Sequence, residues 1–251
     1  MLGVTRNRRP GPADERLRIA RADAGLADAY TLTDVGVYFG GEGEAPGTPH
    51  PDPYFDGEGP ARASCIACGG CMVGCRHGAK NTLDLNYLHL AERRGARILT
   101  ERRVNSIAPD GDGGYRVGFE HPWKKGEGVG SIEAGRVVLA AGVLGTLELL
   151  LRCRDELGTL PNVSPRLGDR VRTNSEAVTA VLESDVDADL TRGPAISTDF
   201  HPDPRTHITQ NRYVGGGKML RWQVGPLVDG SRPLRRSIET ALSILRHPLR
   251  T

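Results

Sequence analysis

No long hydrophobic run occurs in the 251-residue chain. A membrane-crossing helix needs about 20 consecutive apolar residues, so no transmembrane segment is expected. The opening residues, Met1 to Gly11, carry charge but no apolar centre. They do not read as a secretory signal, and a cytoplasmic location is expected. An excess of one charge is also missing: 33 Lys and Arg stand against 31 Asp and Glu, for a net charge of +2. That balance excludes a general nucleic-acid binder, which would need a strong basic surplus. No internal repeat is visible. Cysteines are few, and four of the five crowd between residues 65 and 75. A disulfide framework spread through the chain is therefore not expected.

What is present is a polar but globular composition, with 38% hydrophobic and 25% charged residues. The 33 glycines and 17 prolines imply long loops and many turns. Pro12–Ala24 reads as an amphipathic helix with Ala13, Leu17, Ile19, Ala20 and Ala24 as apolar members, stopped by Gly25. Residues 39–60 read as Gly- and Pro-rich coil. Leu83 to Arg94 reads as one helix, capped by Thr82 or Asn81 and ended by Gly95, with Leu83, Tyr87, Leu88 and Ala91 on one face. Strands are expected at Arg97–Thr100, Val104–Ile107 and Tyr115–Phe119, with a turn at Asp110 to Gly114. Arg136–Ala141 reads as a buried strand ended by Gly142, and Thr146–Arg154 as the helix after it. A further strand is expected at Val178–Leu182, loop over residues 190–217, and a basic, partly amphipathic tail from Arg232 to Thr251.

Three blocks carry a resemblance. The first is Gly78-Ala79-Lys80-Asn81-Thr82-Leu83-Asp84-Leu85-Asn86-Tyr87-Leu88. The second runs from Arg136 through Ala140-Ala141-Gly142 to Arg152. The third is Leu160-Pro161-Asn162-Val163-Ser164, followed by Leu167-Gly168 and Arg172-Thr173-Asn174. In order and spacing they resemble the glucose–methanol–choline (GMC) oxidoreductases, close to the cholesterol-oxidase-like branch. The likeness implies an α/β fold: a partial FAD-binding, Rossmann-like layer with an α+β substrate-domain portion. It implies residues 1–76 as a substrate-domain and loop segment with the cysteines, 77–174 as part of the FAD-binding domain, and 175–251 as part of the substrate-binding domain and tail. The cofactor is FAD, and the reaction is hydride transfer from the CH–OH group of a sterol or other bulky alcohol. Val104 takes the place of a family valine whose backbone meets the adenine side of FAD. Ala141 and Gly142 are the small residues where backbone approaches a dinucleotide closely. Val143 and Leu147 depart from the small or proline residues common in wider relatives.

The resemblance also points to what is not found. The glycine-rich strand–turn–helix fingerprint for a pyrophosphate has no match: Gly40-Gly41-Glu42-Gly43 lies in expected coil, and Gly215-Gly216-Gly217 is in the wrong context. The family's catalytic His and Asn would lie beyond the region matching Thr251. The chain is thus expected to be an internal piece, inactive alone, with N- and C-terminal parts of the same enzyme missing. His77, His201 and His207 match no catalytic motif, and no catalytic residue is assigned.

Cys65, Cys68, Cys71 and Cys75 follow C-x2-C-x2-C-x3-C, the spacing of ferredoxin iron–sulfur ligands. An iron–sulfur cluster, zinc, a disulfide and free thiols all remain open, with Cys153 a spare ligand. Arg76 stands where ferredoxins place proline. Arg76, His77 and Lys80 would lower nearby thiol pKa values. An iron–sulfur electron carrier is therefore the competing function, and a non-enzymatic remnant the third.

Overall fold

The computed structural model describes residues 2–26, 30–172, 174, 176–181, 183, 185, 187–215, 226, 228 and 231–246. The elements in chain order are β1 (Thr5–Arg6), α1 (Pro12–Asp23), β2 (Tyr30–Leu32), β3 (Asp34–Val35), β4 (Pro49–His50), β5 (Arg62–Ala63), α2 (Tyr87–Arg93), β6 (Arg103–Pro109), β7 (Tyr115–Glu120), β8 (Gly130–Ala134), α3 (Gly142–Leu151), β9 (Ile196–Asp203), β10 (Thr206–Asn211) and α4 (Pro233–Arg246). Helices and strands are both present, as an α/β chain requires, and every strand pair is antiparallel. The chain divides into two compact units: residues 1–96 with 178–251, and residues 97–177. The boundary expected at 76/77 falls inside the first unit. The block after the cysteines is stitched there by backbone bonds, Tyr38 N–H to Ala79 O (2.7 Å) and Asn81 N–H to Gly36 O (2.8 Å).

In the first unit, β9 sits between β10 and β2, with Tyr30 opposite Phe200 and Leu32 opposite Thr198. This hairpin replaces the loop expected over 190–217. The alternation was hidden because the buried face of β9 carries Ser197 and Thr198, both fully buried. Helix α1 forms where expected, with Pro12 in its first turn. Its buried residues are Asp14 and Arg21, while Ile19 is exposed. Of the apolar members read from the sequence, Ala13 and Leu17 are half-covered beside them, while Ala20 and Ala24 are exposed like Ile19. A small apolar core joins Val37, Phe39, Cys65 and Ala79.

The helix expected over Leu83–Arg94 is broken. A 3-10 turn covers Leu83–Leu85, and α2 starts at Tyr87. Asn86 lies between them, 1% exposed, and accepts the Tyr87 N–H at 2.5 Å. Its side chain competes with the helical ladder for that donor.

In the second unit, β6, β7 and β8 form an antiparallel meander around the expected turn at 110–114. Ile107, Leu149 and Cys153 form its core, with Val117, Val137 and Leu160 packed beside them. Arg97–Thr100 forms no strand, and Ile98 and Leu99 are exposed. Arg136–Ala141 forms no strand either, and Val138 is 89% exposed. A strand exists only through bonds to a neighbour, and no described strand pairs with this run. Helix α3 starts at Gly142, four residues earlier than expected, and continues through a π-helical turn at Arg152–Glu156.

Residues 178–181 form no strand, and Leu182 lies outside the described residues. So do Thr173, Gly216, Gly217 and residues 247–251 of the expected tail.

Candidate functional site

Two features collect the residues singled out by sequence. The first is an open concavity of about 540 Å³ in the second unit, walled by Leu139, Ala140, Gly142, Val143, Thr146, Leu147, Gly168, Asp169 and Val171. It is shallow and open to solvent. It lies at the N-terminal end of α3, where free backbone N–H groups and the helix dipole favour an anion. Gly142 has φ +71°, and a Cβ built there meets nothing within 4 Å. Glycine is thus required by the backbone turn rather than by lack of room. The wall is largely apolar and solvent-facing, with one carboxylate, Asp169, and no side chain fills the space beside Gly142, which leaves the end of α3 open to an apolar group carrying an anion.

Of the expected cofactor residues, Gly142 lines this concavity. Ala141 is the residue before α3 and Val104 lies on β6; neither is a wall residue. The neighbouring strand position, Arg103, is tied to α3 by an ion pair to Glu148 at 2.6 Å. The second block and the third block, at Gly168, meet at this wall. Thr146, Asp169 and Val171 were not singled out by sequence; the pairing of the two blocks was the available signal.

The second feature is a cavity of about 10 Å³ in the first unit, lined by Cys65, Cys68, Cys71 and Cys75 together with His77 and Lys80. It holds one water at most. All five cysteines are free. Among the described residues no three His, Cys, Asp or Glu side chains are placed to hold one metal ion. The spacing that suggested an iron–sulfur cluster therefore finds no support in the geometry. Burial pushes the Cys65 thiol up to about 11, partly offset by the Ala67 N–H; Cys71 and Cys75 nearby add to the rise. This reverses the expected lowering by basic neighbours at Cys65, because desolvation of a thiolate outweighs distant charge. Lys80 instead donates to the Cys71 carbonyl at 2.9 Å. Cys153 is no spare ligand: it is fully buried in the second unit's core, its sulfur accepting the Ile107 N–H at 3.3 Å. His201 and His207 stand on β9 and β10 with ring centres 5.7 Å apart.

The model of the GMC oxidoreductase family matches residues 61–171. The match takes in the whole of the concavity's wall and all of the cysteine-lined cavity except Val37 and Gly193. Residues 61–171 are a GMC oxidoreductase segment. Around this GMC segment the whole chain aligns with curated relatives. It is 39% identical over 255 residues to a cholesterol oxidase of Acinetobacter baumannii, covering 99% of this chain and 46% of that protein. It is 42% identical over 238 residues to a cholesterol oxidase of Mycobacterium tuberculosis, covering 93% and 41%. The chain thus spans less than half the length of these relatives. Among the described residues no helix is long and apolar enough to cross a membrane.

Proposed function

We propose that this GMC segment is part of an FAD-dependent oxidoreductase acting on the CH–OH group of a sterol or other bulky alcohol. The observation that carries the reading is the open, apolar concavity at the N-terminal end of α3, inside a segment that matches the family. In this reading residues 77–174 supply part of the FAD-binding layer, with residues 1–76 and 175–251 on the substrate side. Gly142 and Ala141 let the cofactor approach the backbone, and the first turn of α3 faces its phosphates. The Val104 backbone holds the adenine side. Bound flavin supplies the ring that accepts the hydride. The residues described here bind and orient that cofactor and shield it from water; no general base is assigned among them. The five free thiols accord with a reducing, cytoplasmic setting.

The test is titration of the purified chain with FAD, followed by flavin fluorescence and anisotropy. Saturable quenching in the micromolar range is expected, weakened about tenfold or more in Gly142→Val, with near-native circular dichroism as the control. Free, unquenched flavin at all protein concentrations would overturn the assignment.

A further inference from the structure

Helix α4 is placed the wrong way round for a core helix. Leu234, Ile238, Leu242 and Leu245 fall at i, i+4, i+8 and i+11, one face of a helix. Their exposures are 77%, 54%, 43% and 76%. The half-covered residues are polar: Glu239, Thr240 and Ser243. Among the described residues no other helix or strand packs extensively on α4. Its apolar face is therefore open along 14 residues, about 21 Å at the helical rise.

The charges around that face decide what covers it. Arg232, Arg235, Arg236 and Arg246 stand against a single acid, Glu239, which is held by Arg235 at 2.7 Å. Two copies of α4 laid face to face would bring arginines together with too few carboxylates to answer them. A Leu and Ile face with Arg235 and Arg246 along one edge and Arg232 and Arg236 farther round toward the polar side instead matches a bilayer surface with anionic headgroups, where the apolar side chains enter the acyl boundary and the arginines remain at phosphate level. We infer that α4 docks the chain on an anionic phospholipid surface, lying in its plane without crossing it. This inference stands apart from the flavin reading, since it uses no residue of the concavity.

The experiment is flotation of the full chain with vesicles of phosphatidylcholine alone or with one quarter phosphatidylglycerol, at low and high salt. Co-flotation with the anionic vesicles is expected to exceed that with neutral ones by about tenfold and to fall with salt. The double variant Ile238→Gln/Leu242→Gln should lose it, and Arg232→Gln/Arg236→Gln should lose about tenfold at low salt. Circular dichroism of each variant separates a lost contact from a lost fold. Hydrogen exchange of the unsubstituted chain should show new protection over 233–246 on anionic vesicles. Equal flotation with both vesicle types, no protection of α4, or a dimer that the apolar variant converts to monomer would each overturn the inference. FAD titration of the same sample reads the flavin assignment independently.

Discussion

The carboxylate of Asp14, 1% exposed, accepts from the Gly11 N–H (2.5 Å), the hydroxyls of Ser197 and Thr198, and the Arg212 guanidinium (2.7 Å). Burial alone would raise its pKa. The bonds from Arg212, Ser197 and Gly11, with the charge of Arg212, together outweigh burial and hold it below the ordinary value of 3.8. A carboxyl lowered in the folded state contributes stability above its unfolded pKa. That contribution is lost as pH falls below 3.8 toward the folded value. Urea unfolding followed from pH 7 down through pH 3 should show it, and Asp14→Asn should flatten the dependence. Arg212→Met leaves the buried carboxylate unpaired and should cost about 3–5 kcal/mol in the same assay. The thiols give a second residue-level prediction. Exposed Cys68 should alkylate with iodoacetamide at neutral pH at least about tenfold faster than Cys65 or Cys153, since both of these are buried and the Cys65 thiol is pushed up to about 11. Mass spectrometry of timed samples reads the order, and labelling of Cys65 first would contradict it.

At the scale of elements, the sequence was most legible where local chemistry decides. The helix beginning at Pro12, the Asp110 to Gly114 turn and the strands on either side of it all form as read. It was least legible where one side chain or a missing neighbour decides. Asn86 interrupts what periodicity presents as one helix, and it does so from a buried position that only the fold creates. Asn86→Ala removes the bond to the Tyr87 N–H and should destabilise the first unit by about 1 kcal/mol, seen as a lower urea midpoint with unchanged slope. Arg136–Ala141 shows the converse: an apolar run is necessary for a buried strand, but pairing partners make it one. At Gly142 the positive φ sets the turn into α3. Gly142→Ala should therefore destabilise the second unit by about 1 kcal/mol or more through backbone strain alone, because there is ample room for the methyl group.

At the scale of the molecule, the two compact units have separate cores, Val37, Phe39, Cys65 and Ala79 in one and Ile107, Leu149 and Cys153 in the other. Leu149→Ala should leave a cavity costing about 2–5 kcal/mol. Hydrogen exchange should then accelerate across residues 97–177 and stay unchanged over 1–96. Uniform acceleration across the chain would show one cooperative unit instead. The GMC segment, residues 61–171, runs across the division between the units, so the family match and the packing partition the chain differently.

Three ordered blocks were enough to identify the family from the sequence alone, because motif spacing survives without coordinates. The Asp110 to Gly114 turn and the start of α1 at Pro12 were legible because Pro, Gly and Asp act on their immediate neighbours. The tertiary structure alone decided that the fully buried residues of α1 are Asp14 and Arg21, that β9 and β10 pair, and that the four clustered thiols surround a water-sized space. Each of these depends on contacts between residues far apart in the chain. Burial and desolvation, which set the protonation of Asp14 and Cys65, arise only when such contacts exclude water.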